Sequence, residues 1–129
     1  MAKQKLIWKK KPESDDVANA QTYLSLLFSD RKARTLVRAI VKARAREFAA
    51  KDLLRASGLP LLVRNDPHVD ADLRKIHDGK PLAPVLLVRG DAQNSRPLLI
   101  ADGYHRVCAT YYFDENRNVD CRMASDAEL

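Results

Sequence analysis

Apolar positions along the chain follow two rhythms. Val17, Ala20, Leu24 and Leu27 recur every three or four residues behind Asp15 and Asp16, predicting a helix with one apolar face and an aspartate at its N-cap. Ser29 and Asp30 break and restart the chain. Leu36, Val37, Ile40 and Val41 then form the buried stripe of a second helix, from about Asp30 to the mid-forties. So short a connection predicts an antiparallel helical hairpin. Glu47 to Ala50 reads equally as a short strand or as the end of that helix. Lys51 to Ser57 reads as a brief helical turn, C-capped by Gly58 and stopped by Pro60. After the apolar connector Leu59 to Val63, Asn65-Asp-Pro-His68 turns the chain into a helix that carries Val69, Leu73 and Ile76 inward and ends at Gly79. The rhythm then changes to short continuous apolar runs. Ala83 to Arg89, Pro97 to Ala101 and Val119 to Met123 read as strands. Gly90 to Ser95 is a polar loop, and Gly103 to Phe113 is a last helix burying Val107, Cys108 and Tyr111. The pattern predicts a small mixed α/β domain with an N-terminal helical hairpin.

Composition sharpens this into a single globular unit of three segments. Residues 1–14 form a basic arm, flexible or loosely docked, with Lys9-Lys-Lys-Pro12 beside Trp8; 15–46 form the hairpin; 47–129 form the α/β unit. The 46% hydrophobic and 31% charged shares are those of a soluble globular protein. No apolar run approaches the roughly 20 residues that span a bilayer, so no membrane partner is expected. The N-terminal stretch lacks the apolar segment of a signal peptide. Cys108 and Cys121 are too few and too dispersed for a disulfide framework or a zinc site, so no protein-held metal is expected. The expected location is cytoplasmic.

A net charge of +6 favours anionic partners, and the excess is concentrated in one place. Residues 31–46 hold Arg31, Lys32, Arg34, Arg38, Lys42, Arg44 and Arg46 and no acid before Glu47. Arg31, Arg34, Arg38 and Lys42 share a helical face. Such a stripe either tracks a nucleic-acid backbone or is the solvated face opposite the core. No aromatics interleave it, so the stacking signal for single strands is missing.

Leu98 to Ala109 carries the densest chemistry. A buried strand enters a turn at Asp102 and leaves as a helix beginning Gly103-Tyr-His-Arg106. Asp102 suits the N-cap, Gly103 allows close backbone approach, and a helix N-terminus presents free N–H groups to an anion. His105 and Arg106 add side-chain donors, Arg106 as a planar fork. His68, after Pro67, stands at the start of another helix and faces phosphate or merely begins that helix. The same residues also make an ordinary capped strand-to-helix turn.

Asp102-Gly-Tyr-His-Arg106 resembles the D-G-x-H-R form of the signature loop of the ParB/sulfiredoxin superfamily, and the surrounding elements fit from roughly Phe48 to Met123. The resemblance implies a loop that binds nucleotide phosphates. Members include partition proteins that bind CTP and DNA, sulfiredoxins that use ATP, and small kinases that phosphorylate free serine. Sulfiredoxins place the reactive cysteine where this chain has Tyr104; Cys108, one turn on, reads as a buried small hydrophobe. Partition proteins carry arginine at the positions of His68 and His105 and need a downstream helix-turn-helix domain, whereas this chain stops at Leu129. The loop is closest to the serine-kinase branch. The resemblance therefore implies a stand-alone nucleotide-binding domain taking ATP, ADP or CTP with Mg²⁺, and phosphoryl transfer to a small hydroxyl compound. The binding set would be His68 and Asp102, Gly103, Tyr104, His105 and Arg106. The catalytic set would be Asp52, Asp66 and His105, with Asp102 a further carboxylate for metal or base; each aspartate reads equally as a cap or turn residue. The competing class is a non-enzymatic module that binds nucleic acid or a protein through Arg31, Arg34, Arg38 and Lys42.

Overall fold

The computed structural model describes residues 4–126. Its elements run α1 (Ser14–Leu24), α2 (Asp30–Lys42), β1 (Arg46–Ala49), α3 (Ala50–Ser57), α4 (Pro67–His77), β2 (Val85–Val88), β3 (Leu99–Asp102), α5 (Tyr104–Phe113) and β4 (Asn118–Ala124), with a 3-10 turn at Ala92–Asn94. This is the expected mixed α/β class with an N-terminal helical pair. The strands form one sheet in the order β1-β4-β2-β3. β2 and β4 pair in parallel, and β1 and β3 flank them antiparallel. The ambiguous segment before Ala50 is thus an edge strand. No helix among the described residues is long and apolar enough to cross a membrane.

The sheet is covered on both faces, which is why Val85-Leu-Leu-Val88 is apolar throughout and buried at every position. On one face Val85, Leu87, Val119 and Cys121 pack with α3, α4 and α5 through Leu53, Val69, Leu73, Ile76 and Val107. On the other, Leu86, Val88, Ala101 and Ala124 pack with Ala20, Leu24, Ala33, Leu36, Val37 and Ile40 of α1 and α2. The hairpin is thus one layer of the core.

Several local expectations are corrected. α1 begins at Ser14 with Glu13 at the N-cap, so Asp15 and Asp16 lie inside its first turn and do not cap it. Leu27 follows the end of α1 and is half exposed in the turn. Val41 is also exposed, because the face of α2 that meets the sheet centres on Ala33, Leu36, Val37 and Ile40 and Val41 lies a further step round the helix. Tyr111 is only partly buried. The described part of the basic arm, from Gln4 onward, is docked. Trp8 bridges Leu82, with Lys9 N donating to the Leu82 carbonyl at 2.8 Å and Leu82 N to that of Ile7 at 2.9 Å. Buried Arg122 donates to the Lys10 carbonyl at 2.7 Å. Backbone pairing holds the segment, a signal that lysine content does not carry.

Because the sheet needs both covers, Leu36→Ala, which empties a fully buried position of α2, should destabilise the whole domain by about 2–5 kcal/mol. A urea titration followed by circular dichroism should keep one transition and move it to lower urea. Two separate transitions would show that the hairpin is an independent unit.

Candidate functional site

The N-termini of three helices meet at one cleft of about 470 Å³, lined by the N-cap Glu13 with Asp16 and Asn19 of α1, by His68, Asp72 and Lys75 along α4, and by Gly103, His105 and Arg106 at the start of α5. Each helix end concentrates partial positive charge. At α1 the first turn contains Asp15 and Asp16. At α4 Asp66 is the cap, its carboxylate accepting from His68 N at 2.9 Å and Val69 N at 3.1 Å. Those N–H groups, Val69 first, hold the Asp66 carboxyl below its ordinary range. At α5 the N-cap is Gly103 and no side chain caps the first turn. Asp102 is therefore not the cap expected from its position.

Asp102 is diverted by Arg106. The guanidinium donates to Asp102 at 2.8 Å, to Asp16 at 2.8 Å and to the Ala83 carbonyl at 3.2 Å. Its side chain is 11% exposed, so its fork is committed to the protein. Gly103 serves the same contact. It sits at φ +107°, and a Cβ there would lie 2.9 Å from Arg106 Nη2 and 2.9 Å from Val85 Cγ2. The close approach that the glycine permits is to Arg106 and Val85. Burial, reinforced by Asp16, pushes the Asp102 carboxyl up to about 6 despite the arginine.

The two histidines are left facing the opening. His68 and His105 are each the second residue of a helix, their ring centroids 4.8 Å apart. His105 Nε2 lies 3.9 Å from Asp66 Oδ1. Tyr104 contributes backbone only, since its hydroxyl donates to the Pro60 carbonyl. Asp52 lines a different groove and pairs with Lys51 and Arg55, so it does not join this group. Asp72 and Lys75 of α4 were missed by sequence reasoning. With His68 they recur at helical spacing, forming a polar stripe that flanks the apolar face of Val69, Leu73 and Ile76 about a quarter turn round the helix and is legible in principle. Burial raises the Asp72 carboxyl above its ordinary range.

The acidic pair Asp16 and Asp102 is held by Arg106 and does not fit a protein-built Mg²⁺ cage; among the described residues no group of three or more His, Cys, Asp or Glu is placed to hold a metal ion. Cys108 is fully buried in the α5 face of the core, and burial pushes its thiol up, away from the reactive thiolate. Arg31, Arg34, Arg38 and Lys42 are all exposed on α2, away from this cleft, and make no ion pair with a described residue. No protein-family model matches the chain, and no curated protein or solved structure matches it significantly.

The raised Asp102 carboxyl gives a signed prediction. The folded state holds this proton more tightly than the unfolded chain, so the contribution is full below about pH 4 and is lost as pH rises through about 6. Asp102→Asn, which stays neutral, should gain stability relative to the parent as pH is raised from about 4 to about 7. Urea midpoints at steps of one pH unit test this, and a pH-independent difference would count against it.

Proposed function

We propose that the protein binds a phosphate-bearing ligand, a nucleotide on the resemblance of its loop, in the cleft where α1, α4 and α5 begin. The observation that carries the reading is the convergence of the α4 and α5 first turns, with His68 and His105 4.8 Å apart beside helix N–H groups that no side chain caps. In this reading the α5 N–H groups and the two imidazoles receive the phosphate, Lys75 adds a cation at the rim, and Arg106 holds the turn rigid from behind. A divalent ion would come with the phosphates. The reading extends to phosphoryl transfer to a small hydroxyl compound. Asp72, raised by burial and lining the cleft, suits proton acceptance better than Asp66, which is held low by its cap bonds.

Calorimetric titration with ATP, ADP, CTP and GTP, with and without Mg²⁺, tests binding. His105→Ala and His68→Ala should each weaken the favoured nucleotide by about 1.5–3 kcal/mol, the range for a hydrogen bond to a charged group, which is about ten- to a hundredfold in Kd. Saturable binding that neither substitution changes would sink the site.

Four exposed cations on one face of α2, none in an ion pair with a described residue, support a second reading, a nucleic-acid surface. Four phosphate contacts would give a log–log salt slope of roughly −3 to −4 on duplex DNA. We expect weak, sequence-independent binding, because the stripe offers no base-reading or stacking partner. Fluorescence anisotropy with duplex DNA and RNA, repeated after Arg31, Arg34, Arg38 and Lys42 are changed to Gln, decides the ranking. Tight binding at moderate salt that the fourfold change abolishes would make this reading primary.

A further inference from the structure

A second concave site lies at the opposite end of β2. Leu86 pairs with Asp102 near the phosphate cleft, whereas Val88 leads to Arg89 at the other end. There α3 stands off the sheet and leaves a groove of about 430 Å³. Every strand or its approach contributes one apolar side chain to it: Phe48 from β1, Met123 from β4, Leu87 from β2 and Leu98 ahead of β3. Leu53 of α3 closes the other side. The groove opens where the parallel strands β2 and β4 end, the edge of α/β sheets at which ligands collect. Its volume and apolar lining are those of a small-molecule site.

The rim supplies the chemistry. Asp52 is paired with Lys51 and Arg55, Asp91 accepts from Asn94 at 2.6 Å, and Arg96 is paired with Asp126 at 3.2 Å. Arg89 is exposed and its guanidinium has no partner among the described residues. The backbone that carries it is nonetheless fixed. Its N–H donates to the Ala124 carbonyl at 2.8 Å, and the chain behind it is closed by reciprocal Asp91–Arg96 backbone bonds of 2.8 and 2.9 Å. Gly90 packs so tightly on the returning strand that a Cβ would lie 2.7 Å from Leu98 N. A small adjoining hollow behind Arg89 is lined by Arg44 and Arg46, which also make no ion pair with a described residue. An apolar groove thus ends at an arginine whose backbone is held in place and whose guanidinium makes no ion pair with a described residue, within a cluster of arginines.

We propose that this groove is a binding site for a small organic carboxylate, its ring or chain lying against Phe48, Leu87 and Met123 and its carboxylate accepting the Arg89 fork. The site is separate from the phosphate cleft and does not depend on it. A bare phosphate would leave the apolar floor empty; an uncharged apolar ligand would leave Arg89 unpaired. The bidentate match of guanidinium to carboxylate selects the ligand that satisfies both.

The test is a ¹H–¹⁵N NMR titration of the full chain with 4-phenylbutyrate, its neutral amide and 4-phenylbutylamine. The acid should bind saturably and shift the amides of Leu53, Ala56, Arg89 and Gly90. The amide should bind at least tenfold more weakly and the amine more weakly still. Arg89→Gln, a surface change that should leave the fold intact, should abolish the preference for the acid over the amide. Ala56→Trp, which fills the groove mouth from α3, should remove binding. His105→Ala should leave it unchanged. Equal affinity for acid and amide, retention of the preference in Arg89→Gln, shifts centred outside the groove, or no saturable binding would overturn the proposal.

Discussion

The Arg106 guanidinium, gripped between Asp16 and Asp102, is the constraint on which the rest of the structure turns. It joins α1, the end of β3 and the start of α5, and adds the carbonyl just before β2. Such a group is weak evidence of net stabilisation, because desolvating charges offsets much of their attraction. Its force is one-sided: removing the arginine would leave two carboxylates facing each other in a mostly buried site. The hairpin and the sheet are therefore tied by charge as well as by Leu24, Leu36 and Ile40, and the tie forms part of the cleft wall.

That same contact determines what the cleft offers. In an ordinary strand-to-helix turn Asp102 would accept the first N–H groups of α5. The β-bulge at Leu86/Leu87, which leaves Ala101 as the extra residue, together with the glycine turn aims Asp102 at Arg106. α5 starts uncapped as a result. At α4 the opposite choice is made, and Asp66 is consumed as a cap. The two helix starts are therefore not equivalent. One has a carboxylate built in as its cap, and the other begins with no side-chain cap, close to both histidines. The motif residues divide accordingly: Asp102, Gly103 and Arg106 build the turn, and His105 faces outward from it.

The elements were legible where local chemistry decides them. Ser29 accepts Lys32 N, Gly58 is left-handed at φ +69° and Asp66 caps behind Pro67, each as the residue type suggests. The stripes Leu36-Val37-Ile40 and Val69-Leu73-Ile76 gave both core faces of the long helices. What was not legible rests on partners distant in the chain. Lysine content pointed the arm to solvent, but the backbone of Ile7 and Lys9 pairs with Leu82 and that of Lys10 is held by Arg122. Asp102 looked like a cap because its rival, an arginine shared with Asp16 ninety residues away, is invisible to local pattern. For the site, His68 and His105 were named, but on separate grounds; only the packing of α4 on α5 brings their rings together. Asp52, named with them, belongs to the far end of the sheet.

The two concave sites divide the chemistry of the molecule along β2. At its beginning, residues from three helix starts make a polar cleft whose charges are already half matched by one another. At its end, the four-stranded sheet presents apolar side chains beside Arg89, whose guanidinium makes no ion pair with a described residue. β2 between them is buried at all four positions and paired on both edges. A strand so enclosed cannot shift without opening both cores, since interiors at crystal-like density do not deform continuously. Either end can thus hold its geometry whatever occupies the other. Rigidity also sets what each end presents: N–H groups and imidazoles in set directions at the polar cleft, and an apolar floor leading to Arg89 at the groove.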